Sequence, residues 1–486
     1  MTVERLYETK GTDLNPPLTV VPTQAPATQD SAAEPRLARR LGLFDGTMIV
    51  MGGIIGSGIF MNPHVVAEIV HTPALILGAW GAGGLIALAG AFIYAELAAL
   101  RPHVGGQYAY IREAFHPGLA FIYGWTLLLV VQSGGMAAVA VTFARYFIEL
   151  TRVGAADWVV GAIALGALTV INCLGVRAGS TVQSALMVLK ILAIAGLIGV
   201  GLWAGPRHAS GAGQAVSPAS APEGWSMIGT FGAALVPVLF AYGGWQTASF
   251  VAGEMREPRK NLPRALLIGV VGVIALYLAV NFVCVSVLGV DGLAATSTPA
   301  SEAMRSILGE KGRTLIAIGI SISTLGFLSQ SMLTAPRVYF AMADDRLFFK
   351  GVARLHPRTR APVAAIAMQG LVAIVIAASG RYEQILNYVV SIDSIFFGLT
   401  AACLFGLRKG GSLTASGPEG RSYALKVSAV VVILFIAAEW LVAASAIYKA
   451  PRNSLIGVAI LVAGIPVYFF WRWRNKRGET ATTETV

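Results

Sequence analysis

Ile54-Ile55-Gly56-Ser57-Gly58-Ile59-Phe60 and Phe240-Ala241-Tyr242-Gly243-Gly244-Trp245 each set small residues into the middle of a long apolar run. A helix that unwinds inside a bilayer leaves N–H and C=O groups without partners, at several kcal/mol each. Such backbone is tolerated only where protein or a water-filled cavity satisfies it. Two breaks in corresponding positions therefore point to a transport site at membrane mid-depth.

The surrounding composition requires a membrane. Of 486 residues, 56% are hydrophobic and 13% charged, with a mean hydropathy of +0.69. About 20 apolar residues cross the ~30 Å hydrocarbon core as a helix. Stretches of that kind are predicted at 43–68, 74–99, 118–148, 156–176, 178–204, 226–253, 262–288, 313–341, 361–379, 382–406, 424–448 and 453–473. The chain reads as an all-α membrane protein of twelve transmembrane helices.

Lysine and arginine set the expected orientation, because cytoplasmic loops are enriched in them. With the amino terminus inside, 26 basic residues fall on the cytoplasmic side and 9 outside, leaving Lys190 within span 5. Both termini are expected in the cytoplasm, and the protein in the cell membrane. The net charge of +11 follows from this bias, so no nucleic-acid partner is expected. Residues 1–40 are rich in Pro, Thr, Ala and Gln and read as a disordered tail rather than a cleavable signal. Residues 475–486 form the expected second tail, with the transporter domain at 41–474 between them.

Chemistry on a substrate has no obvious seat. Cys173, Cys284 and Cys403 all fall within predicted spans, without zinc or disulfide spacing. The six histidines lie in loops or near span ends, and no nucleotide-binding or hydrolase motif occurs. Neither an enzyme, a metal site nor a cofactor is expected.

Spans 1–5 (43–204) and 6–10 (226–406) form two blocks, each opening on a glycine-broken helix. Five is odd, so the second block enters the membrane from the opposite side, which is the arithmetic of an inverted repeat. Spans 11 and 12 (424–473) lie outside it and are expected to serve packing or dimerisation. The chain is expected to be a monomer or a homodimer.

A family resemblance attaches to these residues. Leu43-Phe44-Asp45-Gly46, the Ile54–Phe60 break, Tyr94-Ala95-Glu96-Leu97, Gly105-Gly106-Gln107-Tyr108-Ala109-Tyr110, the Phe240–Trp245 break and Asn261-Leu262-Pro263 resemble the amino acid–polyamine–organocation superfamily. Within it, the likeness is greatest to the L-type amino acid transporters and their bacterial relatives. The resemblance covers roughly 41–406 and implies a leucine-transporter-like fold and alternating-access transport of an amino acid.

Physical chemistry gives the breaks complementary roles. A helix restarting after Gly56-Ser57-Gly58 presents unpaired N–H groups and a positive dipole end to a carboxylate. The second break is expected to expose carbonyls that accept from an ammonium. The resemblance implies that carbonyls matching Ile54, Phe240 and Gly243 take the α-amino group, and that Phe240 closes the outer gate. Candidate substrate-lining residues are thus Ile54, Gly56, Ser57, Gly58, Phe240, Ala241, Gly243, Gln246 and Asp393. The alternative is that these glycines only allow helices to pack closely.

Lys190 lies roughly 20 Å along its helix from the cytoplasmic end, too deep to snorkel comfortably. Intramembrane charge of this kind marks a functional site by default. In sodium-independent relatives a matching lysine takes the place of a bound cation, which makes Ser323 the expected partner of Lys190. Asp393 can bind a proton or pair with a cationic substrate, whereas Gly243 favours neutral side chains. Glu439 reads as structural or interfacial, and Glu96 as a helix-end contact near Arg101 and Arg112. The short loop at 149–155 holds no cysteine, so no disulfide-linked accessory subunit is expected. The expected function is sodium-independent transport of neutral amino acids, with a cationic amino acid or polyamine antiporter as the alternative.

Overall fold

The computed structural model describes residues 39–102, 105–208, 225–379, 382–409, 426–449 and 451–483. Almost all of the expected amino-terminal tail lies outside these residues, as do the loops at 209–224 and 410–425. The described chain is helical: α1 (Leu43–Ile54), α2 (Gly58–Val70), α3 (Pro73–Leu100), α4 (Gln107–Ala114), α5 (Pro117–Thr126), α6 (Gln132–Thr151), α7 (Asp157–Cys173), α8 (Val176–His208), α9 (Trp225–Tyr242) and α10 (Pro258–Ala294). There follow α11 (Pro299–Leu308), α12 (Glu310–Thr334), α13 (Pro336–Asp344), α14 (Val363–Ser379), α15 (Tyr382–Lys409), α16 (Ala429–Lys449) and α17 (Pro451–Thr483). Proline opens α3, α5, α10, α11, α13 and α17, where its missing N–H costs nothing and its fixed φ suits the first turn.

Among the described residues, nine helices are long and apolar enough to cross a bilayer, and the bent pair α1 and α2 makes a tenth. The expected spans at 156–176 and 361–379 form helices of 17 residues, α7 and α14. Two structured pieces went unpredicted between spans, α4 and α11, whereas α13 falls largely within the span expected at 313–341, which divides at Ala335 into α12 and α13. Helix α17 runs on through Thr483, past the expected boundary at 474. Leu85, Leu192, Trp203, Leu371 and Leu441 stay exposed on helices that bury their other faces, as side chains facing lipid tails do.

Small residues let the helices approach closely. A Cβ on Gly83 would collide with Val238 of α9, and one on Gly319 would lie 2.9 Å from Ala193 of α8. At the end of the molecule bearing the start of α1, ion pairs are buried or half-buried. Arg337 Nε donates to Glu254 Oε1 at 2.6 Å, with the two side chains 1% and 0% exposed. Arg408 donates to Glu96 Oε2 at 2.6 Å, Arg112 pairs with Asp345, and Leu41 bridges to Met255. The ion pairs at the opposite end, Arg145 with Asp157, Arg305 with Glu302 and Arg313 with Glu149, are largely exposed. Glu96 therefore finds its partners in Arg408 and the Val427 N–H, rather than in the loop that carries Arg101 and Arg112.

Candidate functional site

Both glycine breaks are present and abut one another. Helix α1 ends at Ile54, α2 begins at Gly58, and the two bend by 41°. The Gly56 N–H turns back onto the Ile54 carbonyl at 2.9 Å. The Ser57 and Gly58 N–H groups have no acceptor among the described residues, so the start of α2 offers the free donors that its dipole end predicts. In the second break α9 stops at Tyr242, Gly244 adopts φ 106°, and a 3₁₀ segment runs over Trp245–Glu254. A Cβ on Gly244 would collide with the Gly53 carbonyl oxygen. Only glycine satisfies both that conformation and that contact.

Close packing and an open site thus divide the glycines between them. A Cβ on Gly58 would meet Ala241 at 2.9 Å, so Gly58 is a contact between the two breaks. Gly56 would meet only the edge of the Phe327 ring, at 3.3 Å, and Gly243 only backbone carbonyls of its own helix end, Phe240 O at 3.3 Å being the nearest. The packing alternative therefore describes Gly58 and Gly244, whereas Gly56 and Gly243 border open space.

That space is a cavity with about 110 Å³ of room for the centres of water-sized groups. A single water needs about 10–15 Å³ on this measure, so the cavity suits a small organic molecule. All nine candidate residues, Ile54, Gly56, Ser57, Gly58, Phe240, Ala241, Gly243, Gln246 and Asp393, line it. Lys190 and Ser323 do not. Gln132, Gly135 and Val139 enclose it from α6, just after a one-turn π segment at Leu127–Val131, a distortion frequent at functional sites.

Carbonyls of the breaks are less free than the sequence suggested. Tyr277 of α10, fully buried, directs its hydroxyl to Ile54 O at 3.0 Å and Ala241 O at 3.1 Å, bridging the breaks. With the Gly56 N–H already on Ile54 O, and the single Tyr277 proton shared between Ile54 O and Ala241 O, that carbonyl has at most one lone pair left open. Phe240 O accepts from the Gly243 N–H at 3.2 Å, and Gly244 O accepts from the Thr247 hydroxyl at 2.7 Å. The Gly243 carbonyl accepts no hydrogen bond among the described residues and remains the open acceptor.

Lys190 of α8 is completely buried and donates to the Ile55 carbonyl, which the break releases from its helix. The expected bond to Ser323 is absent: its hydroxyl is buried with no hydrogen-bond partner among the described residues. Lys190 lies instead against Gly326 of α12, whose Cβ would be 3.3 Å from its Cε. A carbonyl is the stronger acceptor, and the missing Gly326 side chain makes the room.

Among the described residues, Asp393 and Glu439 are the charged residues lining the cavity, and no basic side chain lines it. Glu439, expected to be structural or interfacial, lines the cavity with Val442, so α16 contributes to its wall. Ser394 of α15 lines the same cavity. Sequence reading passed over Tyr277 as well, although a tyrosine inside Ala275-Leu276-Tyr277-Leu278-Ala279 is a visible polar intrusion into an apolar run. Among the described residues no cluster of three or more histidine, cysteine or acidic groups stands ready for a metal.

A bundle of apolar helices with ion pairs at one end, and with two broken helices framing a cavity, defines a multi-pass membrane protein with room for a small molecule. The chain belongs to the amino acid permease family, whose pattern matches residues 41–471. It is 31% identical over 444 residues to the serine/threonine exchanger SteT of Bacillus subtilis, covering 90% of this chain and 98% of that one. Identity is 29% to the human large neutral amino acids transporter small subunit 2, over 90% of this chain and 82% of the relative. The human b(0,+)-type amino acid transporter 1 is 28% identical over 90% and 88%.

Proposed function

We propose that this protein is a sodium-independent exchanger of neutral α-amino acids that works by alternating access. The observation that carries the reading is the cavity where the two breaks meet. Unpaired N–H groups of Ser57 and Gly58 suit a carboxylate, and the Gly243 carbonyl suits an ammonium. The side chain would extend past Phe240 toward Asp393 and Ser394. Lys190, bound to Ile55 O, takes the position of a dissociable cation.

In this reading α7 and α14, about 25 Å long at 1.5 Å per residue, complete the count of twelve spans. Helices α1 to α8 and α9 to α15 then form the inverted repeat (43–204 and 226–406). Both tails lie in the cytoplasm, and the ionic end of the bundle is the closed inner side. Loop 149–155 lacks a cysteine, in keeping with a chain that needs no disulfide-linked accessory subunit.

The test is uptake by proteoliposomes across a panel of amino acids, with and without internal substrate, sodium and a pH gradient. We expect uptake of neutral amino acids that internal neutral amino acid accelerates and that choline in place of sodium leaves unchanged. Asp393 and Glu439 favour a second reading, a cationic amino acid or polyamine antiporter. Preferential uptake of lysine or putrescine would establish that one instead.

A further inference from the structure

A second cavity, with about 220 Å³ of room for water-sized groups, lies beyond the first, away from the ionic end. Helix α6 passes from one to the other: Gln132, Gly135 and Val139 line the inner cavity, Thr142, Arg145 and Glu149 the outer. Helix α2 does the same from Gly58 to Met61. These steps of three and four residues keep both cavities on one face of each helix. The outer cavity therefore lies on the line that leads to the inner one.

We propose that the outer cavity is a second binding site for a zwitterionic α-amino acid, with Arg145 receiving the carboxylate and Glu149 the ammonium. Arg145 and Glu149 are four residues apart on α6, the spacing at which opposite charges ordinarily pair with each other. Here they do not. Arg145 Nε donates to Asp157 of α7 at 3.2 Å, and Glu149 is taken by Arg313 of α12. Two opposite charges one turn apart on α6 thus line one cavity, each bonded to a different neighbouring helix, and Thr142, Ser297 and Thr298 add hydroxyls to its wall. Each restraining pair is exposed, so it holds its charge in place while leaving it open to a ligand. Arg145 presents further N–H donors beyond the one given to Asp157.

The site would concentrate substrate at the mouth of the path, and this rests on the reading that the protein transports amino acids. The test measures uptake of L-serine and L-leucine by the full chain in proteoliposomes. Arg145→Gln and Glu149→Gln should each raise KM roughly three- to ten-fold with the maximal rate little changed, as loss of an entrance charge slows association. Asp157→Asn and Arg313→Gln remove the restraining partners but keep the two charges, and should leave KM close to wild type. Equal effects of all four substitutions would show a merely structural pair of salt bridges and overturn the proposal. An unchanged KM in all four would also overturn it. A wild-type protein that transports no amino acid of any kind would instead overturn the transport reading, and this site with it.

Discussion

Gly56 and Gly244 are separated by function although both are glycines in a break. At Gly244, alanine would force a Cβ into the Gly53 carbonyl on left-handed backbone, at a cost of about 3 kcal/mol or more. Gly244→Ala should lower the thermal unfolding temperature of the purified protein markedly; a wild-type melting curve would contradict the packing described. Gly56→Leu should leave the fold intact and abolish substrate binding, since its side chain enters the cavity against Phe327. Near-normal affinity in that variant would remove the site. Asp393→Asn should retain neutral amino acids, and its failure to bind them would show that the carboxyl itself contacts substrate. The residues lining the two breaks were legible because paired glycines weaken an apolar helix, and a break or a close approach of backbone is what offsets that weakness. What Tyr277 and Glu439 touch was not, although both stand out as polar residues in apolar runs, because contacts with other helices leave no local periodicity to read.

Between elements, the buried pair Arg337–Glu254 locks the 3₁₀ end of the second break to the start of α13. Removing one partner of such a pair leaves a buried charge uncompensated and costs about 3–5 kcal/mol. Arg337→Met should therefore destabilise the protein strongly, and adding Glu254→Gln should recover part of the loss. Equal stability of the single and double variants would show that the two side chains are not coupled. Apolar length in the sequence reveals most spans, but not the helix ends. Helix α4 escaped because its burial comes from tyrosines at the bundle's end, in a stretch hardly more apolar than an ordinary loop. The π segment in Leu127–Val131 leaves no mark in five consecutive aliphatic residues.

For the molecule as a whole, the orientation proposed from the bias of basic residues puts the ionic end and both tails in the cytoplasm. Single cysteines introduced at residues 10 and 480 of a cysteine-free variant should resist membrane-impermeant thiol reagents in intact cells and react after lysis. Labelling of either in intact cells would reverse the proposed orientation. Lys190→Met should cut transport more than binding, because the bond to Ile55 joins α8 to the first break. Equal loss of both would confine Lys190 to holding the site together.

The same bond has a thermodynamic corollary. A cation tethered to the chain by its own side chain cannot dissociate into either compartment, so it moves through the cycle without being transported. Such a protein has no stoichiometric link to the sodium gradient and cannot use that gradient to concentrate its cargo. The steady-state ratio of one amino acid across the membrane would then be set by the ratio of the amino acid that returns in exchange. The cell would determine the direction of net movement by which amino acids it synthesises and which it consumes.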